Sequence, residues 1–201
     1  MDTISNTSES HTDFHNPDVS VTDWNAALGY LVQGNARYVE DQVILFEVNE
    51  DMRSILAGAQ KPFAAIVTCA DSRVAPEIFF NQNVGDIFVI RNAGNIADTT
   101  ALGSLEFSVA ALKVPLIVVV GHSACGAVKG AMAGGDYPSN LQGIIDTITP
   151  SVKDIDDLDE ATIANVAAQV KTITDNEVIK SAGTKVVGAI YDIESGRVSF
   201  L

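Results

Sequence analysis

The chain has 201 residues, with 12 Lys and Arg against 26 Asp and Glu, for a formal charge of −14. That length suits one domain with a proper core, and the 47% of hydrophobic residues argues for a packed fold over disorder. The acidity is unfavourable for nucleic acid or an anionic membrane, which basic patches attract, and no apolar run approaches the ~20 residues of a membrane span.

The N-terminus lacks the basic and apolar regions of a secretory signal. Residues 1–20, rich in Ser, Thr, Asp and Asn and without Lys or Arg, read as a flexible tail or an arm ordered on a partner subunit. His11 and His15 fall within it, and tail histidines of this kind are usually idle. Residues 21–201 read as a single domain. From Thr22 an amphipathic helix is expected, with Trp24, Leu28, Leu31 and Val32 on one face and local weakening at Gly29 and Gly34. A short helix over 50–59 precedes Pro62.

The middle of the chain alternates. A strand over 63–68 enters the loop Cys69-Ala70-Asp71-Ser72-Arg73, and a short helix follows near 75–81. A strand over 86–91 leads to Asn92-Ala93-Gly94-Asn95. The next helix starts at about Thr99, with Leu102, Leu105, Val109 and Leu112 spaced for one buried face. A strand over 116–120 enters the loop at His122, and a helix covers 124–132.

Beyond Gly134-Gly135, helices are expected near 140–149 and 160–177, joined by a solvated acidic stretch from Asp154 to Glu160. A hairpin closes the chain, with strands over 185–190 and 197–201 around Glu194-Ser195-Gly196. Near-continuous β-branched runs mark strands covered on both faces of a parallel sheet. The fold class is therefore α/β: a central, mainly parallel sheet flanked by helices, with an antiparallel C-terminal edge strand and an N-terminal helical arm.

Only two cysteines occur, too few for the disulfide framework of a small secreted domain, so the cytoplasm is the expected compartment. Each follows an apolar strand, and ligands of open parallel sheets gather beyond the carboxyl ends of strands. Cys69, Asp71, His122 and Cys125 can therefore converge. Thiolate, imidazole and carboxylate are zinc ligands, and two thiolates with one imidazole leave a fourth position for water. If Asp71 takes that position, the site is closed. If Arg73 pairs with Asp71 instead, the position stays free for hydroxide, whose proton the carboxylate can accept in a hydrogen bond. Arg91 and Glu106 read as structural.

Cys69-Ala70-Asp71-Ser72-Arg73, His122-Ser123-Ala124-Cys125-Gly126 and Arg91-Asn92-Ala93-Gly94-Asn95 resemble the signatures of β-class carbonic anhydrases. The likeness continues through Gly34-Asn35-Ala36-Arg37-Tyr38, Gly103-Ser104-Leu105-Glu106-Phe107 and Tyr191-Asp192-Ile193-Glu194-Ser195-Gly196. It covers about residues 22–201 in the family's order. The resemblance implies a zinc lyase that reversibly hydrates carbon dioxide to bicarbonate and a proton through attack of zinc-bound hydroxide. Cys69, His122 and Cys125 would hold Zn2+, with Asp71–Arg73 as a gating dyad and Asp71 as fourth ligand in a closed state.

It further implies that Gln82, in Phe80-Asn81-Gln82-Asn83, contacts the substrate from a neighbouring subunit, and that the Gly126 amide is a second contact at a helix N-terminus. The assembly would be a homodimer or a multiple of dimers. Family members often pass the proton out through a histidine at the pocket mouth. Here that task falls to a Tyr, an acidic residue, buffer, or His11 and His15 of the tail. Hydrolysis of carbonyl sulfide or carbon disulfide, and a zinc-stabilised protein without activity, are the other readings; the intact Asp71-Ser72-Arg73 core speaks against both.

Overall fold

The computed structural model describes residues 20–201, so the expected tail with His11 and His15 lies outside the described residues except for Ser20. Five strands form one sheet: β1 (Ala64–Cys69), β2 (Ile87–Asn92), β3 (Leu116–His122), β4 (Lys185–Tyr191) and β5 (Val198–Phe200), in the order β2-β1-β3-β4-β5. The first four run parallel and β5 pairs antiparallel with β4 at the edge. Every residue of β1 and β3 is buried, which is why these strands read as unbroken apolar runs. The β-branched and aromatic side chains of one face pack with Leu31, Phe79 and Phe80. Those of the other face pack with Leu105, Val109, Val166, Ile173 and Ile179.

Helix α1 (Trp24–Val39) starts at Asp23, whose side chain accepts from the Asn25 amide. Its buried stripe is Ala27, Leu31, Gly34 and Asn35. Val32, expected on that face, is 47% exposed, because the stripe advances by steps of three and four from Ala27 and passes it by. Gly34 is a point of contact: a Cβ there would lie 1.7 Å from the Phe80 carbonyl oxygen. Beside it, Asn35 Nδ2 donates to the carbonyls of Phe79 (2.9 Å) and Gly196 (2.8 Å), and its Oδ1 accepts from the Val198 amide (2.8 Å). One amide thus ties the helical arm to the β4–β5 hairpin.

Helix α2 (Glu50–Gly58) forms behind an Asn49 cap but buries none of its residues. Helix α3 (Pro76–Phe79) is shorter than its expected span, since Asn81 turns left-handed at φ 44. Helices α4 (Thr99–Ala110), α5 (Gly126–Ala133) and α6 (Ser139–Val152) follow the expected order. The single helix expected over 160–177 is two, α7 (Leu158–Thr174) and α8 (Glu177–Ala182). Asn176 separates them by capping a new N-terminus through the amides of Val178 and Ile179. The acidic stretch supplies the cap Asp157 and the first-turn residues Asp159 and Glu160 of α7, where the helix dipole favours negative charge. Among the described residues, no helix is long and apolar enough to cross a membrane.

The close approach of α1 to Phe80 makes a paired test. Gly34→Ala is expected to cost about 3 kcal/mol or more in urea unfolding, because the obstacle is backbone that cannot rotate away. Gly29→Ala on the same helix meets nothing within 4 Å and is expected to stabilise by up to about 1 kcal/mol. Equal effects of the two would refute this packing.

Candidate metal centre

Strand order reverses between β1 and β3, since β1 continues to β2 on one side and β3 to β4 on the other. Such a reversal opens a crevice at the carboxyl ends of the two strands. Cys69 ends β1, His122 ends β3, and Cys125 is the N-cap of α5. Ala124, at φ 56, turns the chain so that Cys125 returns to the crevice. The ligand atoms of Cys69, His122 and Cys125 all lie within 4.8 Å of one another, and all three residues are buried.

The protonation of this group follows from its partners. His122 Nδ1 is 2.9 Å from the Ser123 carbonyl oxygen; a carbonyl only accepts, so Nδ1 carries the proton and Nε2 has a free lone pair. Nε2 is buried without a hydrogen-bond partner, a costly state unless an electrophile takes the lone pair. The Gly94 amide donates to Cys69 Sγ at 3.4 Å. A hydrogen bond from Cys125, helped by the backbone amide of Gly94, brings the Cys69 thiol well below its usual range. The charge so placed, with burial, pushes the Cys125 thiol up, although the amides of Ala127 and Val128 at the start of α5 oppose this. A divalent cation between the two sulfurs would let both ionise. Two sulfurs, a correctly tautomerised imidazole and a dry setting fit zinc with three protein ligands.

Asp71 stands apart from these three. Its Oδ1 accepts from Arg73 Nε (2.9 Å) and from the Arg73 amide (2.9 Å), and its Oδ2 accepts from Arg73 Nη2 (2.7 Å). Of the two positions open to Asp71, the structure has the one paired with Arg73. That fork holds the Asp71 carboxyl well below the usual carboxylate range. Arg91 braces the same loop, donating to the carbonyls of Asp71 (2.7 Å) and Cys69 (3.2 Å). Glu106 accepts from Asn176 at 2.8 Å. Both residues therefore have structural partners.

Gln82 is 5% exposed, and its Nε2 donates to the carbonyls of Phe80 (2.7 Å) and Tyr30 (3.3 Å). Gly126 is exposed at the start of α5, where helix amides lack intrahelical partners. The structural task of Gly94 escaped sequence reasoning; a glycine two residues past a strand end was its only sign.

A family model described as carbonic anhydrase matches residues 64–198. The chain is 38% identical to a carbonic anhydrase of Mycolicibacterium smegmatis over 188 residues, spanning 86% of this chain and 91% of the relative. It is likewise 38% identical to carbonic anhydrase 2 of Mycobacterium tuberculosis, with 86% and 90% covered. Among solved structures, a tetrameric β-carbonic anhydrase from Sordaria macrospora superposes with a TM-score of 0.69 at 29% identity, covering 88% of this chain and 92% of that one. A Coccomyxa β-carbonic anhydrase, solved with acetazolamide, gives 0.67 at 30% identity over 74% and 75% of the two chains.

The donor set predicts its own metal content. Purified protein is expected to carry about one zinc per chain by elemental analysis, and Cys69→Ser to lose it. Undiminished zinc in that variant would overturn the ligand assignment.

Proposed function

This chain belongs to the β-class carbonic anhydrases, and on that footing we propose that it catalyses the reversible hydration of carbon dioxide to bicarbonate and a proton, with zinc held by Cys69, His122 and Cys125. The observation that carries this reading is the convergence of those three ligand atoms within 4.8 Å, with His122 Nε2 buried and unpartnered. Bound there, zinc would lower the pKa of a water toward neutrality and so make a nucleophile available at physiological pH.

The chain's own groups orient the reaction. Arg73 engages both carboxylate oxygens of Asp71, and Oδ2, with a single donor, keeps a further lone pair, so the ionised carboxylate can accept the hydrogen of the attacking water and aim the water's lone pair at carbon. Release of Arg73 would free the same carboxylate for the fourth position and shut water out, which is the gate we assign to the pair. The Gly126 amide, at a helix N-terminus, suits an oxygen that gains negative charge as carbon dioxide becomes bicarbonate. Apolar Ile96, Val128 and Ile148 surround the cysteines and keep bulk water from them. For the proton, surface carboxylates of Asp157, Asp159, Asp192 and Glu194 line a cleft of about 530 Å³ that Arg73 also lines. His122 is the only histidine among the described residues and is fully buried. Among the described residues, that leaves carboxylates as acceptors, with buffer beside them.

We also propose that the working form is a homodimer or a multiple of it. Leu45 is 85% exposed, and Val43, Val48, Ile55, Ile78 and Val84 are exposed as well. The first of these segments adjoins the α3 loop through paired bonds between Asn81 and the Ile44 backbone. Apolar surface of this kind is what a second copy covers.

In stopped-flow assays the zinc-loaded protein is expected to hydrate carbon dioxide, and Asp71→Asn to lose about 100-fold while keeping its zinc. A zinc-loaded wild type that is inert across neutral and mildly alkaline pH would sink the enzyme reading. Light scattering should give a mass of at least two chains, and Leu45→Asp should lower it; a monomeric wild type would refute the assembly.

A further inference from the structure

The short 3-10 turn Ala93–Asn95, which carries the Gly94 amide to Cys69, is an unfavourable piece of backbone. Gly94 (φ 75) and Asn95 (φ 47) are both left-handed. The Asn95 side chain is fully buried, and neither its oxygen nor its nitrogen has a hydrogen-bond partner. The left-handed non-glycine residue and the orphaned amide are both unfavourable. Such a turn persists only where its surroundings over-determine it.

Two sets of bonds do so. Asn92 brackets the turn locally: its Oδ1 accepts from the Ile96 amide (2.8 Å) and its Nδ2 donates to the Ile96 carbonyl (2.7 Å). The second set comes from α7. Asn165 Nδ2 donates to the Gly94 carbonyl (3.0 Å), Gln169 Nε2 donates to Asn165 Oδ1 (3.0 Å), and Gln169 Oε1 accepts from the Ala97 amide (2.9 Å). Asn165 and Gln169 are 0% and 3% exposed, so these bonds are shielded from competing water. They lie one turn apart on a helix that packs against β3 and β4. The turn is thereby fixed to the same sheet that carries His122. The residue they grip is the one whose N–H reaches Cys69 Sγ.

We propose that Asn165 and Gln169 are positioning residues of the metal centre: by holding the Gly94 carbonyl they keep the Gly94 amide on the sulfur of Cys69, and so set how firmly zinc is retained. This rests on the reading of Cys69, His122 and Cys125 as zinc ligands. An N–H donated to a thiolate fixes the direction of the sulfur and draws charge from it, as partners beyond the ligands do at metal sites generally.

The test uses the full chain loaded with zinc and, separately, with cobalt(II), whose sulfur-to-metal charge-transfer band reports charge on the thiolates. Asn165→Leu is expected to release zinc to a chelator about 10–100-fold faster and to move the cobalt band to lower energy. Gln169→Leu should act in the same sense but less, and it carries the test if Asn165→Leu does not fold. Val166→Ala serves as the control, since Val166 lies between these two on the same helix and packs near Gly121 and Gly188. It should lower the melting temperature and leave both metal readouts unchanged. Wild-type zinc release and an unshifted cobalt band in the Asn165 and Gln169 variants, whatever their stability, would overturn the proposal. A wild type that takes up neither metal would instead refute the zinc reading itself, and the proposal with it.

Discussion

The parallel pairing of β1 with β3 is the contact on which everything else in the structure depends. Thr68 lies opposite Val120, so Cys69 and His122 leave the sheet within one residue of each other on adjacent strands. Because β2 lies outside β1 and β4 outside β3, their connections diverge to opposite sides and leave the crevice between them uncovered by the strands' own continuations. A one-residue slip of this register would turn one ligand toward the opposite face of the sheet. The burial of both strands on both faces makes such a slip prohibitive, since every apolar side chain would change sides with it.

Burial then determines the chemistry of what converges. Two thiols and an imidazole without solvent cannot all adopt their ligand states unaided, and the opposed shifts of Cys69, downward, and Cys125, upward, express this. The surrounding polarity is arranged for the ionised forms. The Gly94 amide points at one sulfur, the first amides of α5 favour the other, and the Ser123 carbonyl selects the His122 tautomer. These partners are backbone groups of turns and a helix end, so they come with the fold.

That distinction explains what could be read from the chain alone. The strands and the ligand set were legible because burial on two faces writes an unbroken apolar run, and because Cys69 and His122 close such runs. Val32 was misassigned since its apolar character is compatible with either side of α1, and only the contact of Gly34 with Phe80 fixes the rotation. The break between α7 and α8 depends on a cap at Asn176, a residue equally at home inside a polar helix face. The partners of Gln82 were hidden for a further reason: the carbonyls of Phe80 and Tyr30, the latter 52 residues away, accept from its amide. Bonds between distant side chains and backbone leave no periodic trace, and the Asn165–Gln169 grip on Gly94 belongs to the same class.

The contrast in exposure across the site separates what is fixed from what can move. Cys69, His122 and Cys125 are at most 5% exposed and belong to strand ends and a helix cap, so displacing any of them would disturb the core. Arg73 is different: its side chain is 51% exposed and that of Asp71 18%. An ion pair open to water is worth little in net terms, because solvent replaces each lost bond. Asp71 is thus anchored through its backbone by Arg91, while its carboxylate is held by the Arg73 amide and by an Arg73 side chain open to solvent. A loop so constructed keeps the carboxylate beside the metal centre and leaves its direction reversible, which is the physical requirement for the proposed gate.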